Sequence, residues 1–376
     1  MIEEKNTLVS EITKPEENNM ATKEEIQANV MQMYQYIYGN WLTMITYVYA
    51  ELDIAHLLHE SPKSVEEIAA LTQTEVSALK RFLRCAGALG FHKTDHDTGK
   101  LMLTDFGFLL CSESPFCLRA AARLNGAPYR YKPWGHLLQY VKSGSGKGLS
   151  STWENGYLDY LKDKPELLEV FEEAMTNLSK STYHNINENK VIAESFDFSR
   201  FNRVLDIGCG NGTLLEAILL VNRKLQGTLF DLENVLENIK LPVANHPNAN
   251  RVDKVSGDFY QSIPSGYDAY FMKNVIHNHP EHRCKKILNN IRRAILEGDN
   301  PKNKRLLMFE MVIPDANEKN MISKLVDLNL NLLVDGSDRT YNDYDMLLNE
   351  TGFDLLSVAD LPGLERKVLS AVVKNY

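Results

Sequence analysis

RVLDIGCGNGTLLEAILLV, residues 203–221, is the stretch whose reading decides the fold. A short β-rich run, Arg203–Ile207, meets a glycine-rich turn at 208–212. An apolar run, Thr213–Val221, follows and reads as a buried helix. Strand, glycine turn and helix form the unit of nucleotide-binding α/β sheets. The glycines let the backbone turn tightly and let a ligand approach where a Cβ would stand. The spacing is GxGxG, not the GxGxxG of a dinucleotide fingerprint, and Asp206 stands just before it. A carboxylate there would repel a pyrophosphate. It suits a ligand with a cationic amino group and a sulfonium, the chemistry of S-adenosylmethionine. The next run, Gly227–Phe230, ends in Asp231, placed to accept hydrogen bonds from a ribose diol. Asp206, Gly208, Gly210 and Asp231 are therefore the first candidate cofactor contacts.

Working outward, strands alternate with helices from Phe196 onward, the pattern of a doubly wound α/β domain with a parallel sheet. Val252–Val255 leads into Gly257-Asp258-Phe259, where an acid and an aromatic at a strand end can clamp a purine. Tyr267–Ile276 reads as a fourth strand running into a loop, followed by His277-Asn278-His279-Pro280-Glu281. Pro280 suits the first position of a helix. Cys284, Ile287, Leu288, Ile291 and Ile295 then form its apolar stripe. His277 thus falls at the carboxyl end of a strand, where open α/β sheets bind ligands. His279 and His282 read as structural or solvent-facing. Arg305–Met311 is apolar except for its opening Arg and Glu310. A buried carboxylate is costly unless paired, so Glu310 is expected to meet His277. Asp338, in the loop at 336–340, is placed to return to the same mouth.

Toward the N-terminus, residues 1–24 read as a polar flexible leader with no apolar core of a secretory signal. Residues 25–125 are mostly helical. Trp41–Leu58 is apolar nearly all round, which suggests a buried helix pair or an oligomer contact. Ser64 and Glu67 fit a capping box. A helix over Glu75–Leu89 is followed by Phe91–Thr94 and Lys100–Thr104 around a polar turn, the pattern of a winged helix. Such a module binds DNA or serves in dimerisation and substrate capping; Lys80, Arg81 and Arg84 favour the first, the acidic chain the second. Residues 126–195 read as a helical connector containing a flexible stretch at 142–151 and a helix opening at Pro165.

The chain as a whole carries 376 residues, more than one ordinary core needs. Its formal charge of −9 argues against nonspecific nucleic-acid binding. No apolar run approaches the ~18 residues of a membrane span. Five cysteines, without a CxxC pair, support neither a disulfide framework nor a zinc site, and a reduced cytoplasmic setting is expected. No metal is expected.

Over roughly residues 25–376 the sequence resembles the class I O-methyltransferases of plants and bacteria that act on small, mostly aromatic hydroxyl compounds. Leu205–Gly212, Lys273–Leu288, Phe309–Pro314 and Asp338–Tyr344 carry the resemblance, with Tyr131–Leu138 beside them. It implies an N-terminal winged-helix dimerisation domain, a homodimer, and a catalytic domain at 196–376 built on a mixed seven-stranded sheet. It implies cofactor contacts at Gly208, Asp231, Asp258, Phe259 and Lys273. It implies His277 as general base flanked by Glu310 and Asp338, and Met175 as a substrate-lining residue. The sequence departs from the family pattern at Asn278, where relatives have Asp, and at Asp338, where many have Glu. One methylene shorter than that Glu, Asp338 is expected to touch His277 less directly. The expected reaction is methyl transfer from S-adenosylmethionine to a hydroxyl. Two alternatives remain: other chemistry on the same fold, such as hydroxylation or decarboxylation, and a cofactor-sensing winged-helix regulator.

Overall fold

The computed structural model describes residues 22–144, 157–180, 188–239, 249–313 and 321–374. The expected leader up to residue 21 and residues 145–151 of the flexible stretch lie outside them, as does Pro314.

The N-terminal third is helical. Thr22 caps the helix Lys23–Ile37 through a capping box with Glu25. The apolar stretch at 41–58 divides into helices Gly39–Glu51 and Ile54–Glu60, broken at Asp53, whose φ of 53° is left-handed. It is not buried throughout: Tyr49, Ala50, Ile54, Ala55 and Leu58 enter a core, while Trp41 is 60% exposed. Ser64 and Glu67 close the expected capping box on helix Val65–Thr72. Helix Val76–Ala88 buries Leu79, Leu83 and Ala86, and leads to an antiparallel ribbon of β1 (His92–Thr94) and β2 (Leu101–Leu103).

The C-terminal half is built on seven strands: β3 (Arg203–Ile207), β4 (Gln226–Asp231), β5 (Val252–Ser256), β6 (Ala269–Lys273), β7 (Arg305–Met311), β8 (Phe353–Asp360) and β9 (Arg366–Val373). Their order is β5-β4-β3-β6-β7-β9-β8. β3 to β7 run parallel, and β9 is antiparallel to both β7 and β8. Strand residues alternate between faces. Leu205, Ile207, Met272, Leu306 and Met308 pack under helix Glu281–Glu297. Val204, Phe271, Leu307 and Phe309 pack under helix Thr213–Val221 and around Phe198. Gly227 lets that second helix close on the sheet: a Cβ there would stand 2.4 Å from Leu215.

The chain winds outward through β3, β4 and β5, then returns to β6 on the other side of β3. That reversal opens a crevice at the carboxyl ends of β3 and β6. Among the described residues, no helix is long and apolar enough to cross a membrane.

Two local expectations shift. The fourth strand ends at Lys273, because Asn274 takes a left-handed φ of 58° and a 3-10 turn, Ile276–Asn278, follows. Pro280 is the N-cap rather than the first helical residue. Its ψ of 155° is extended, and its carbonyl accepts from the Arg283 and Cys284 amides.

Candidate functional site

The glycine turn sits in the crevice. Gly208, Gly210 and Gly212 all have positive φ, where a side chain is strained. A Cβ on Gly208 would meet Val275 at 2.9 Å and the Phe259 ring at 3.7 Å, whereas at Gly210 the same direction is open space. Asp231 braces the turn: its Oδ2 accepts from the Gly210 amide at 3.0 Å, and its Oδ1 accepts from the Leu232 amide at 2.8 Å. Asp258 likewise organises its own loop, accepting from the Tyr260 amide at 2.8 Å.

Asp206 is 2% exposed, and its Oδ2 has no hydrogen-bond partner. Burial, reinforced by the nearby Asp231 carboxylate, pushes its carboxyl up to about 8. An orphaned buried oxygen beside an open glycine turn fits a cationic ligand. Carboxylate acceptors beside an open glycine turn suit the cationic amino group and ribose hydroxyls of S-adenosylmethionine.

Lys273, at the end of β6, turns to protein partners. Its Nζ donates to Glu188 at 3.2 Å and to Asn189 at 2.7 Å. Burial holds its ammonium below the usual range, opposed by the Glu188 charge. Glu188 also pairs with Arg366 at 2.8 Å, and Asn189 donates to Thr213 at 3.0 Å. Glu188 and Asn189 were not anticipated. They open a short polar helix, Glu188–Ser195, and nothing in the local pattern marks them as buried. Only Lys273, at the end of β6, and Arg366, at the start of β9, bring charge to them.

Beside the cofactor crevice stands His277, 9% exposed. Its Nδ1 lies 3.1 Å from Asp338 Oδ1 and 3.6 Å from Glu310 Oε2. Contrary to the expectation for the shorter acid, Asp338 makes the hydrogen bond, and Glu310 does not. The reason is that Glu310 is occupied elsewhere, its Oε1 accepting from the Val275 and Ile276 amides at 3.1 Å each. Burial raises the Glu310 carboxyl above its ordinary range, opposed by His277. The three groups could also surround an ion. Both acids face the same ring nitrogen. Both contacts fall on Nδ1 and leave Nε2 for other chemistry.

The loop bearing Asp338 reaches the histidine through Gly336, where a Cβ would stand 2.0 Å from the His277 carbonyl oxygen. Asn278 does not replace a charge on the imidazole. Its Nδ2 donates to the Asn274 carbonyl at 2.7 Å, tying the left-handed turn to the 3-10 turn. A carboxylate there could not donate. Cys284, placed by its spacing in the apolar stripe, also has its Sγ within 3.3 Å of the Ile276 carbonyl. His279 is structural: buried, its Nδ1 lies 2.8 Å from the Tyr260 hydroxyl, and burial lowers its imidazole to about 4. His282 is exposed. Met175 packs half-buried against Ala120, Leu124, Val170 and Ala174.

A family model described as an O-methyltransferase domain matches residues 134–354. The sequence is 32% identical to a phenazine O-methyltransferase of Lysobacter antibioticus, covering 90% of this chain and 94% of that protein. It is 30% identical to an 8-amino-8-demethylriboflavin N,N-dimethyltransferase of Streptomyces davaonensis, covering 87% and 91%. The crystal structure of LaPhzM superposes with a TM-score of 0.81 at 31% identity, covering 92% of this chain and 99% of that one.

Proposed function

The chain belongs to the O-methyltransferase family, and from that premise we propose that it methylates a hydroxyl of a small aromatic molecule with His277 as general base. S-adenosylmethionine supplies a methyl group already activated by the positive sulfur. Asp206 would hold its cationic end, Asp231 its ribose, and Phe259 with Asp258 its purine.

The observation that carries the reading is the hydrogen bond between His277 Nδ1 and Asp338, with the Glu310 carboxyl 3.6 Å away. Nδ1 donates to Asp338, so Nε2 holds the lone pair that can take a proton. A phenol has a pKa near ~10 and an imidazole near ~6.5. Proton removal therefore accompanies attack of the oxygen, general base catalysis worth roughly 10²–10⁴-fold. The carboxylates stabilise the imidazolium as it forms. Alignment of the two reactants supplies much of the rest. The 30% identity to an N,N-dimethyltransferase makes an amine acceptor the second reading. An amine that attacks through its own lone pair needs a base less, and His277 favours oxygen.

The proposed assembly is a homodimer through the N-terminal helices. Helix Lys23–Ile37 buries none of its residues, yet exposes Ile26, Val30, Met33, Tyr34 and Ile37, with Trp41 beyond it. That apolar stripe at helical spacing is what a partner helix would cover.

The test is mass spectrometry of the protein with S-adenosylmethionine and matched panels of phenols and aromatic amines. Gain of one methyl on phenols supports the reading. Gain on amines alone favours the second.

A further inference from the structure

Asp338 holds His277, and the loop that carries Asp338 is itself held from one face of the helix Met321–Val334. Two of that helix's side chains, Asp327 and Asn331, stand one turn apart and so project to the same side. Asp327 Oδ1 accepts from the Asp338 backbone amide at 2.9 Å. Asn331 Nδ2 donates to the Gly336 carbonyl at 3.1 Å, and the Asn331 carbonyl accepts from the Asp335 amide at 3.2 Å. Between these ties the chain turns at Asp335, with a left-handed φ of 55°, and Gly336 presses on the His277 carbonyl. On the far side, the Arg339 carbonyl accepts from the Ile313 amide at 2.9 Å, fixing where the loop leaves.

The Asp327 contact is an uncommon choice on grounds of charge alone. It sets one carboxylate close to another, and the Asp327 carboxyl is raised by burial and by the Asp338 charge. A hydroxyl or amide would accept from the same amide without that repulsion. What the carboxylate gives is a stronger, charge-assisted bond to the amide of the very residue that must be placed. The backbone of Asp338 is thereby held where its Oδ1 meets His277 Nδ1.

We propose that Asp327 and Asn331 are positioning residues for the base: they lock the loop at 335–338 so that Asp338 fixes the His277 tautomer. The proposal rests on the reading of His277 as the base, but its test observes the imidazole itself and stands apart from methyl transfer.

The experiment is nitrogen NMR of the full chain labelled with ¹⁵N-histidine, at a pH where the imidazole is neutral. The His277 signals are assigned by their loss in His277→Asn. In the unmodified protein His277 is expected as the Nδ1–H tautomer. Asp327→Ala should convert most of it to Nε2–H, because Nδ1 loses its placed acceptor. Asp327→Asn, which keeps an acceptor oxygen, should retain Nδ1–H. S-adenosylmethionine affinity should be unchanged in both variants. An unaltered tautomer in Asp327→Ala overturns the proposal, as does Nε2–H in the unmodified protein. Should Asp327→Ala fail to fold, Asn331→Ala decides. Amide exchange at 335–338 is then expected to quicken at least tenfold, and unchanged exchange overturns the proposal.

Discussion

Replacing Asp206 by Asn should stabilise the ligand-free protein while weakening its hold on S-adenosylmethionine. Asp206 is buried, Oδ2 lacks a partner, and its carboxyl is raised from 3.8 to about 8. The sign follows from proton uptake. Between those two values the folded chain keeps a proton that the unfolded chain has released, so stability falls as pH rises from 3.8 and levels off above 8. At pH 7 about three units of that range have been crossed, about 4 kcal/mol at ~1.36 kcal/mol per unit. The Asn variant carries no such penalty, but its amide takes over the unpartnered position at about 1–3 kcal/mol. The net gain is about 2 kcal/mol, or roughly 4–8 °C for a domain of 150–250 residues. The gain should shrink toward pH 4 and grow toward pH 9. Binding should move the other way: the unmodified protein binds the cation more tightly as pH rises toward 8, and the variant loses at least tenfold, ~1.4 kcal/mol. Thermal melting at pH 5, 7 and 9, with titration calorimetry at each, reads both effects. A variant no more stable than the parent at pH 9 would refute the forced neutrality of Asp206. Undiminished binding would refute its contact with the cofactor.

Three further outcomes are expected. His277→Ala should slow methyl transfer to any phenol found by screening by roughly 10²–10⁴-fold with cofactor affinity intact; equal turnover removes His277 from the chemistry. Asn278→Asp should cost about 1–3 kcal/mol, because the Asn274 carbonyl loses its donor and meets a charge; denaturant melts check this, and an unchanged midpoint contradicts the assigned bond. Tyr34→Asp with Trp41→Asp should yield a monomer in sedimentation velocity if the exposed apolar stripe is the dimer contact.

The strands and helices of the catalytic half were legible because each buries whole faces. Arg203–Ile207, Thr213–Val221 and Arg305–Met311 stand at the residues their patterns indicate. Boundaries governed by one backbone angle were not legible. Nothing in the local pattern says that Asn274 turns left-handed and ends β6 at Lys273. The acids around His277 could be nominated one by one, since a carboxylate at a buried strand end demands a partner. Their ranking could not, because it depends on Glu310 being spent on the Val275 and Ile276 amides. Glu188 and Asn189 were invisible for a similar reason. Their burial is decided by Lys273 and Arg366, which lie far along the chain.

Asp206, Glu310 and Asp338 each carry one buried carboxyl oxygen without a hydrogen-bond partner. Under the proposed chemistry, His277 acquires a positive charge as methyl transfer removes one from the donor. With S-adenosylmethionine as the donor, the net positive charge would be kept, and after transfer it would rest on His277 beside Asp338. Turnover is then completed by a deprotonation. The enzyme must shed a proton from His277 to solvent before the next neutral hydroxyl can be activated, so the clock of the cycle can lie in that proton's exit as well as in the transfer.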